Sequence, residues 1–512
     1  MSGASIAILA TIIVYLLGMI GIGLYYNKKG SGGNSGEFFL GGRKLGPLVT
    51  AMSAEASDMS SYLLMGLPGL AYLCGVAEVG WTVIGLAVGT YLNFLLVAKR
   101  LRRYSERIDA ITIPDFFSRR FHDERAVLSC IAALVIVIFF VPYTASGFKA
   151  VGTLFNSLFG WDYHTAMIVG AIVIIVYTVM GGFMAVSMTD LIQSIVMTVA
   201  LIVIVFFGIR EAGGWSEVMS NAKALPGYLN LTQGYDAAGG TAASFGAFSI
   251  VSTLAWGLGY FGMPHILLRF MAIRKEEEIG TSRRIASIWV VVSMAIAVVI
   301  GIIGLSVSKA GKIPMLTTSS DSETIIVKLA DYMSQSGILF AVVAGMILSG
   351  ILAATMSTAD SQLLAASSSV SRDLLQNFFH VRMNEKQSMF AARATVVGIA
   401  LIGLILAWNP DSSVFRIVSF AWAGFGAAFG PVMLFSLFWK RTNKWGALAG
   451  MIGGGAMVFI WKYGIAKLGG VLAVYELLPA FIFASILIVV VSLASKAPDE
   501  AIVREFEEVK RK

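Results

Sequence analysis

The stretch SAEASDMSSYLLMGLPG, residues 53–69, decides how the chain is read. It lies in an apolar run long enough to cross a bilayer, yet it carries Asp58 with no basic residue nearby in sequence. A carboxylate at that depth costs about 2.5–3.5 kcal/mol on insertion scales, and a bound cation is the simplest way to offset it. Gly66, Pro68 and Gly69 interrupt the segment, while Ser53, Ser57, Ser60 and Ser61 crowd it with oxygen. An ion site built into a broken membrane helix has this composition.

The rest of the chain agrees. Of its 512 residues, 57% are hydrophobic and 13% charged, where soluble domains average about 25% charged. The reading is an all-α integral membrane protein with the lipid bilayer as its partner. The net charge of +8 is spread over short loops between apolar runs, which argues against nucleic acid. No obligatory protein partner is evident. Cys74 and Cys130 match no metal spacing and read as small core residues. The first apolar run has no preceding basic region and ends in Tyr25-Tyr26-Asn27-Lys28-Lys29, a membrane exit and not a cleaved signal.

Thirteen runs are expected to span: 5–26, 49–73, 76–98, 127–155, 163–181, 188–210, 244–269, 285–308, 335–358, 391–409, 415–438, 445–464 and 474–495. With this count the basic clusters after spans 1, 3, 7, 9 and 11, and the Lys510-Arg511-Lys512 tail, fall on one side. Positive charge marks the cytoplasm, so the N-terminus is expected outside and the C-terminus inside a plasma membrane. Loops 211–243 and 309–325 then face out, and 181–188 forms a short inner turn. The tail 498–512 reads as a solvated amphipathic helix.

A second interrupted stretch, WGLGYFGMPH at 256–265, lies five spans after the first. Paired broken helices point to a five-plus-five inverted repeat. The expected layout is one membrane domain: 1–48 a first helix and loop, 49–210 and 244–438 the two repeats, 439–495 peripheral helices, and 496–512 the tail. Trp256, Tyr260 and Pro264 recur every four residues, so they read as one helix face, either a packing stripe or a pocket wall. Enzyme chemistry finds no support: there is no Gly-Lys-Ser/Thr loop, no HExxH and only four histidines.

The stretches FFLGGRKLGP (38–47), 53–69, TIPDFFSRRF (112–121), MGGFMAVSMTDLIQS (180–194), WGLGYFGMPHILLRFMA (256–272), GILAATMSTADSQLLAASSSVSRD (350–373) and AWAGFGAAFGPVMLFSLFW (421–439) resemble the sodium:solute symporter family. The resemblance implies a leucine-transporter-like inverted repeat with one extra N-terminal and two extra C-terminal helices. It also implies Na⁺-coupled import of L-proline. The open alternatives are another small organic solute such as a different amino acid, pantothenate or a sugar, or a channel or sensor with a transporter-like body. A sensor is expected to carry a signalling domain, for which the tail is too short.

The resemblance assigns Na⁺ to backbone oxygens of Ala56, Met59 and Ala354 and to the hydroxyls of Ser357 and Thr358, with Asp58 and Ser60 in support. From the residues alone, Ser357-Thr358 reads equally as two hydroxyls bonded to their own helix. The substrate is assigned Ser61, Tyr62, Gly66, Tyr143, Trp256, Tyr260 and Pro264. Ser61-Tyr62 stands where the family's proline carriers have Gly-Trp, and Met263 where they have Gln. Arg43 is read as an inner gate or a membrane anchor, Asp190 as a transport residue or a helix cap, and Asp360 as a guard of ion release or a solvated helix end. Glu55 shares a face with Asp58; it is protonated, paired with a base such as Arg43, or wetted by a vestibule. His265 reads as a hydrogen-bonded packing residue.

Overall fold

The computed structural model describes residues 2–30, 35–180 and 182–511. All thirteen apolar stretches fall in helical segments. Ten helices among the described residues are long and apolar enough to cross a membrane. The other three stretches are shorter or broken: Tyr163–Val176, Ala247–Gly262 and the segment that begins as Pro47–Ser61. The outer surface is apolar, with Phe206 72% and Leu339 and Ile405 70% exposed. Such a belt has no soluble rationale and suits lipid. The chain is a multi-pass membrane protein.

The helix Pro47–Ser61 runs through the centre, and every residue from Thr50 to Ser61 is buried. It packs among Phe183–Glu211, Ile279–Lys309 and Ile338–Ser368. The break falls at Ser60, whose φ of 44° and ψ of −170° leave the helical region. A β-carbon makes that conformation costly, and such strain persists only where surroundings enforce it. The chain then makes a wide turn over Tyr62–Gly66 and resumes as Leu67–Cys74, with Pro68 in the first turn where its missing N–H costs nothing.

The second broken segment runs as helix Ala247–Leu254, a tight 3₁₀ stretch Ala255–Gly262, extended Met263, and helix Pro264–Ala272. The 3₁₀ stretch corrects one expectation. With three residues per turn, Trp256 and Tyr260 do not share a face.

Glycines set how closely the two broken segments' neighbours approach. A β-carbon on Gly89 would fall on the carbonyl oxygen of Gly257, and one on Gly85 would meet the backbone of Leu254. Helix Val76–Leu92 therefore lies backbone to backbone against the 3₁₀ stretch. Gly89→Ala should cost about 1–3 kcal/mol through overpacking. The check is a lowered thermal midpoint of the purified protein; an unchanged midpoint would show that the seam can spread.

Two further expectations are corrected, and one loop carries elements of its own. Helix Phe183–Glu211 starts earlier than expected, so residues 183–188 of the expected turn are helical; Gly181 lies outside the described residues. The loop 211–243 holds helix Trp215–Lys223 and most of a hairpin, Gln233–Asp236 with Thr241–Ser244. The tail helix Glu500–Arg511 is docked, with Ile502, Phe506 and Val509 buried and Arg103 donating to the Val509 carbonyl at 2.9 Å. Its apolar stripe was legible, but the surface that receives it was not.

Candidate functional site

The break at Ser60 brings the first broken helix against helix Ile338–Ser368. There the Ser357 hydroxyl donates to the Ala56 carbonyl at 2.8 Å and to its own Ala354 carbonyl at 3.2 Å. Thr358 Oγ1 is buried with no partner. The same-helix reading of these hydroxyls thus holds only for part of Ser357's bonding, and fails for Thr358. Four of the five expected Na⁺ oxygens sit at this one junction. Met59 follows in the same turn of helix, its carbonyl accepting from the Tyr62 N–H. Hard neutral oxygens, one of them orphaned, suit a small hard cation. Among the described residues no group of three His, Cys, Asp or Glu converges.

Asp58 lies beside this junction, 5% exposed. Its Oδ2 accepts from the Tyr260 hydroxyl at 2.7 Å and its carbonyl from the Tyr143 hydroxyl at 3.0 Å. Its Oδ1 has no partner. Tyr260 and Tyr143, placed on the substrate from resemblance, thus hold the acidic residue of the ion site. Ser60 Oγ accepts from the Tyr62 N–H at 3.1 Å and so supports the break itself.

Above Asp58 stand stacked aromatic rings. Tyr62 lies 5.6 Å from Trp256 at 28°, and Trp256 lies 5.2 Å from Tyr475 at 20°. Phe415 closes the side at 5.5 Å from Tyr62. Trp422 fixes Trp256 by donating to its carbonyl at 2.7 Å. Over this floor opens a cavity of about 530 Å³, lined by Gly66, Glu78, Trp256, Glu323, Phe415 and Arg416 among others. Of the expected substrate residues, Gly66 and Trp256 line it. Ser61, Tyr62, Tyr143, Tyr260 and Pro264 lie buried beneath, and Ser61 Oγ and the Tyr62 hydroxyl lack partners. Glu323 caps helix Val414–Phe438, accepting from Ser413 Oγ at 2.7 Å and from the amides of Val414 and Phe415 at 3.0 and 3.1 Å. Burial pushes its carboxyl above the ordinary value, with Lys149 acting against that.

The opposite end is sealed. Arg43 donates to the Met271 carbonyl at 2.6 Å, to Ala110 O at 2.8 Å, and to Ser105 Oγ and O at 3.0 Å each. Burial and the Arg102 guanidinium lower it to about 10, so it keeps its charge at neutral pH. Leu45 bridges to Ile273 beside it. Arg43 is a cross-tie, which a mere membrane anchor is not.

Asp190 is no helix cap. It sits in the second turn of Phe183–Glu211, accepting from Ser53 Oγ at 2.6 Å and pairing with Arg269 at 3.1 Å. Asp360 is no solvated end. It is fully buried mid-helix, near Asp190 and Arg269, with its neighbour Ser361 beside the carboxylate. Glu55 is neither paired with Arg43 nor wetted: it is 0% exposed, with the Thr90 hydroxyl beside it. His265 lies against the Ser57 backbone and packs its ring 5.6 Å from Phe140. Arg269, Glu323, Phe415 and Tyr475 escaped the sequence reading. An arginine inside an apolar segment was the one legible signal, since it demands a carboxylate.

The profile described as "SSF: Sodium:solute symporter family" matches residues 38–454. The chain belongs to the sodium:solute symporter family. It is 41% identical over 506 residues to the osmoregulated proline transporter OpuE of Bacillus subtilis (strain 168), covering 98% of each chain. It is 43% identical over 507 residues to the sodium/proline symporter of Escherichia coli (strain K12), covering 98% of this chain and 96% of that one. Among solved structures it is similar to a substrate-bound, outward-open Na⁺-coupled sialic acid symporter. That likeness has a TM-score of 0.77 at 16% identity, over 96% of this chain and 99% of the other. The expected leucine-transporter-like fold is thereby borne out.

Proposed function

We propose that the chain imports L-proline together with Na⁺ by alternating access across the plasma membrane. The observation that carries this is the Ser357 hydroxyl joining Ala56 O to Ala354 O, with Thr358 Oγ1 orphaned at the same point. An arriving Na⁺ takes the two carbonyls, and the Ser357 proton turns away so that the hydroxyl also faces the ion with a lone pair. That binds the first broken helix to helix Ile338–Ser368. Relatives described as proline transporters, similar over nearly the whole chain, support proline as the solute.

The proline ring would lie between Tyr62, Trp256 and Phe415, with Tyr143, Tyr260 and Pro264 behind them. Its carboxylate would meet the unpartnered Ser61 and Tyr62 hydroxyls beside Gly66. The cavity above the rings is the entry, and Arg43 with Asp190 and Asp360 guards the exit. In this reading residues 49–210 and 244–438 are the inverted repeats. The Arg43 end faces the cytoplasm, with the N-terminus outside and the C-terminus inside. One Na⁺ entering down ~100 mV contributes about 2.3 kcal/mol, and a tenfold gradient adds about 1.4. Together these support accumulation of a neutral solute several hundred-fold.

A second reading, a more polar amino acid, is favoured by the unpartnered Tyr62 and Ser61 hydroxyls, which an apolar ring does not need. Uptake of labelled proline into proteoliposomes under an imposed Na⁺ gradient decides between them. Na⁺-dependent uptake blocked by unlabelled proline supports the first reading; Na⁺-dependent uptake that polar amino acids block better than proline supports the second.

A further inference from the structure

A second cluster of buried oxygens lies on the other side of Asp58. Glu55 is 0% exposed, and so are Thr90 and Asn93 of the facing helix. Asp58 Oδ1 and Asn93 Oδ1 have no hydrogen-bond partner, and the two Glu55 oxygens have only the Thr90 hydroxyl beside them. Tyr260 ties them together. Its hydroxyl binds Asp58 and faces Thr90 and Glu55, and its carbonyl accepts from Asn93 Nδ2 at 3.0 Å. Thr90 stands beside Glu55 too, and Asp58 lies within its electrostatic reach. The Gly89–Gly257 seam brings the two backbones this close, and a π turn over Asn93–Ala98 starts at the cluster. Such bulges recur at functional sites.

We infer that Glu55, Asp58, Thr90 and Asn93 form a second Na⁺ site between the first broken helix and the bulged end of helix Val76–Leu92. Buried polar atoms go unpaired at high cost, so four carboxylate and amide oxygens served by a single hydroxyl call for an occupant. Water brings no charge to two carboxylates one helical turn apart. The nearby guanidiniums are engaged elsewhere, Arg269 by Asp190 and Arg43 by the Ser105, Ala110 and Met271 oxygens. A proton on Glu55 would leave Asp58 Oδ1 and the Asn93 oxygen as they are. Na⁺ accepts carboxylate, hydroxyl and amide oxygens together. The charge also balances: two monovalent cations, one at each site, match Glu55 and Asp58.

The inference rests on the reading of the Ala56–Thr358 junction as the first Na⁺ site, and equilibrium binding of radioactive Na⁺ to the purified full chain separates the two. About two ions per chain are expected in the parent. About one should remain in Glu55→Gln, in the near-isosteric Thr90→Val, and in Thr358→Val, which strikes only the first site. Should Glu55→Gln fail to fold, Thr90→Val decides. A parent that binds one ion, lost in Thr358→Val and kept in Thr90→Val, overturns the second site and leaves the first. A parent that binds none overturns both.

Discussion

Replacing Asp58 with asparagine should raise the Na⁺ concentration for half-maximal uptake by about 100-fold. A unit charge ~6 Å from the ion, at an effective dielectric near 20, attracts it by about 3 kcal/mol, which is roughly two decades of affinity. The substitution is nearly isosteric and leaves an oxygen to accept the Tyr260 hydroxyl, now 2.7 Å from Oδ2. The chain should therefore stay folded, and the readout isolates charge from shape. Tyr260→Phe is the complementary variant. It keeps the carboxylate and removes its donor, a loss of about 1.5–3 kcal/mol for a hydrogen bond to a charged group. That loss acts on the position of Asp58 whether or not Na⁺ is bound, so the shift in Na⁺ dependence should be smaller. Saturation curves for Na⁺ at fixed solute distinguish them. An Asp58→Asn protein with the parent's Na⁺ dependence would leave the carboxylate as a structural acceptor only.

The features that were legible in the sequence are those that act over a few residues. Gly66, Pro68 and Gly69 announced a break, and Asp58 within an apolar run announced a reason for it. The strained residue turned out to be Ser60, a few positions earlier, because the oxygens that reward the strain belong to helix Ile338–Ser368. Ser357 was ambiguous for the same cause: a hydroxyl bonded to its own helix and one that also bridges two helices look alike in sequence. The periodicity reading failed at Trp256 and Tyr260. The tighter coil there lies against Gly85 and Gly89, and those two glycines sit on another helix. The pocket wall was missed where it comes from the last helices. Tyr475 stacks on Trp256 across more than 200 residues of chain, and nothing local marks it. Glu55 was seen as anomalous, but its surroundings, Thr90 and Asn93, read as ordinary residues of an apolar span.

The largest effect on stability should come from Arg269. It is 1% exposed and makes four hydrogen bonds: to Asp190 Oδ2 at 3.1 Å, Ser53 Oγ at 3.0 Å, Ser361 Oγ at 2.6 Å and the His265 carbonyl at 2.8 Å. Its guanidinium also lies 5.1 Å from the Phe183 ring. These partners sit on both broken segments and on helices Phe183–Glu211 and Ile338–Ser368, so one side chain ties four elements together. Arg269→Met keeps most of the volume but strands the Asp190 carboxylate, and breaking a buried pair in this way costs about 3–5 kcal/mol. The thermal midpoint of the purified protein should fall accordingly. Arg269→Met with Asp190→Leu removes both charges, and most of the lost stability should return, since an apolar pair of similar volume is often no worse than a buried ion pair. Transport should not return with it. The pair and Ser53 hold the sealed end of the first broken helix to its neighbours in a geometry that apolar packing does not specify. A double variant that recovers stability yet stays inactive separates the two roles. One that regains both would mean the guanidinium only fills space, and a single variant as stable as the parent would mean Asp190 is served by some other partner.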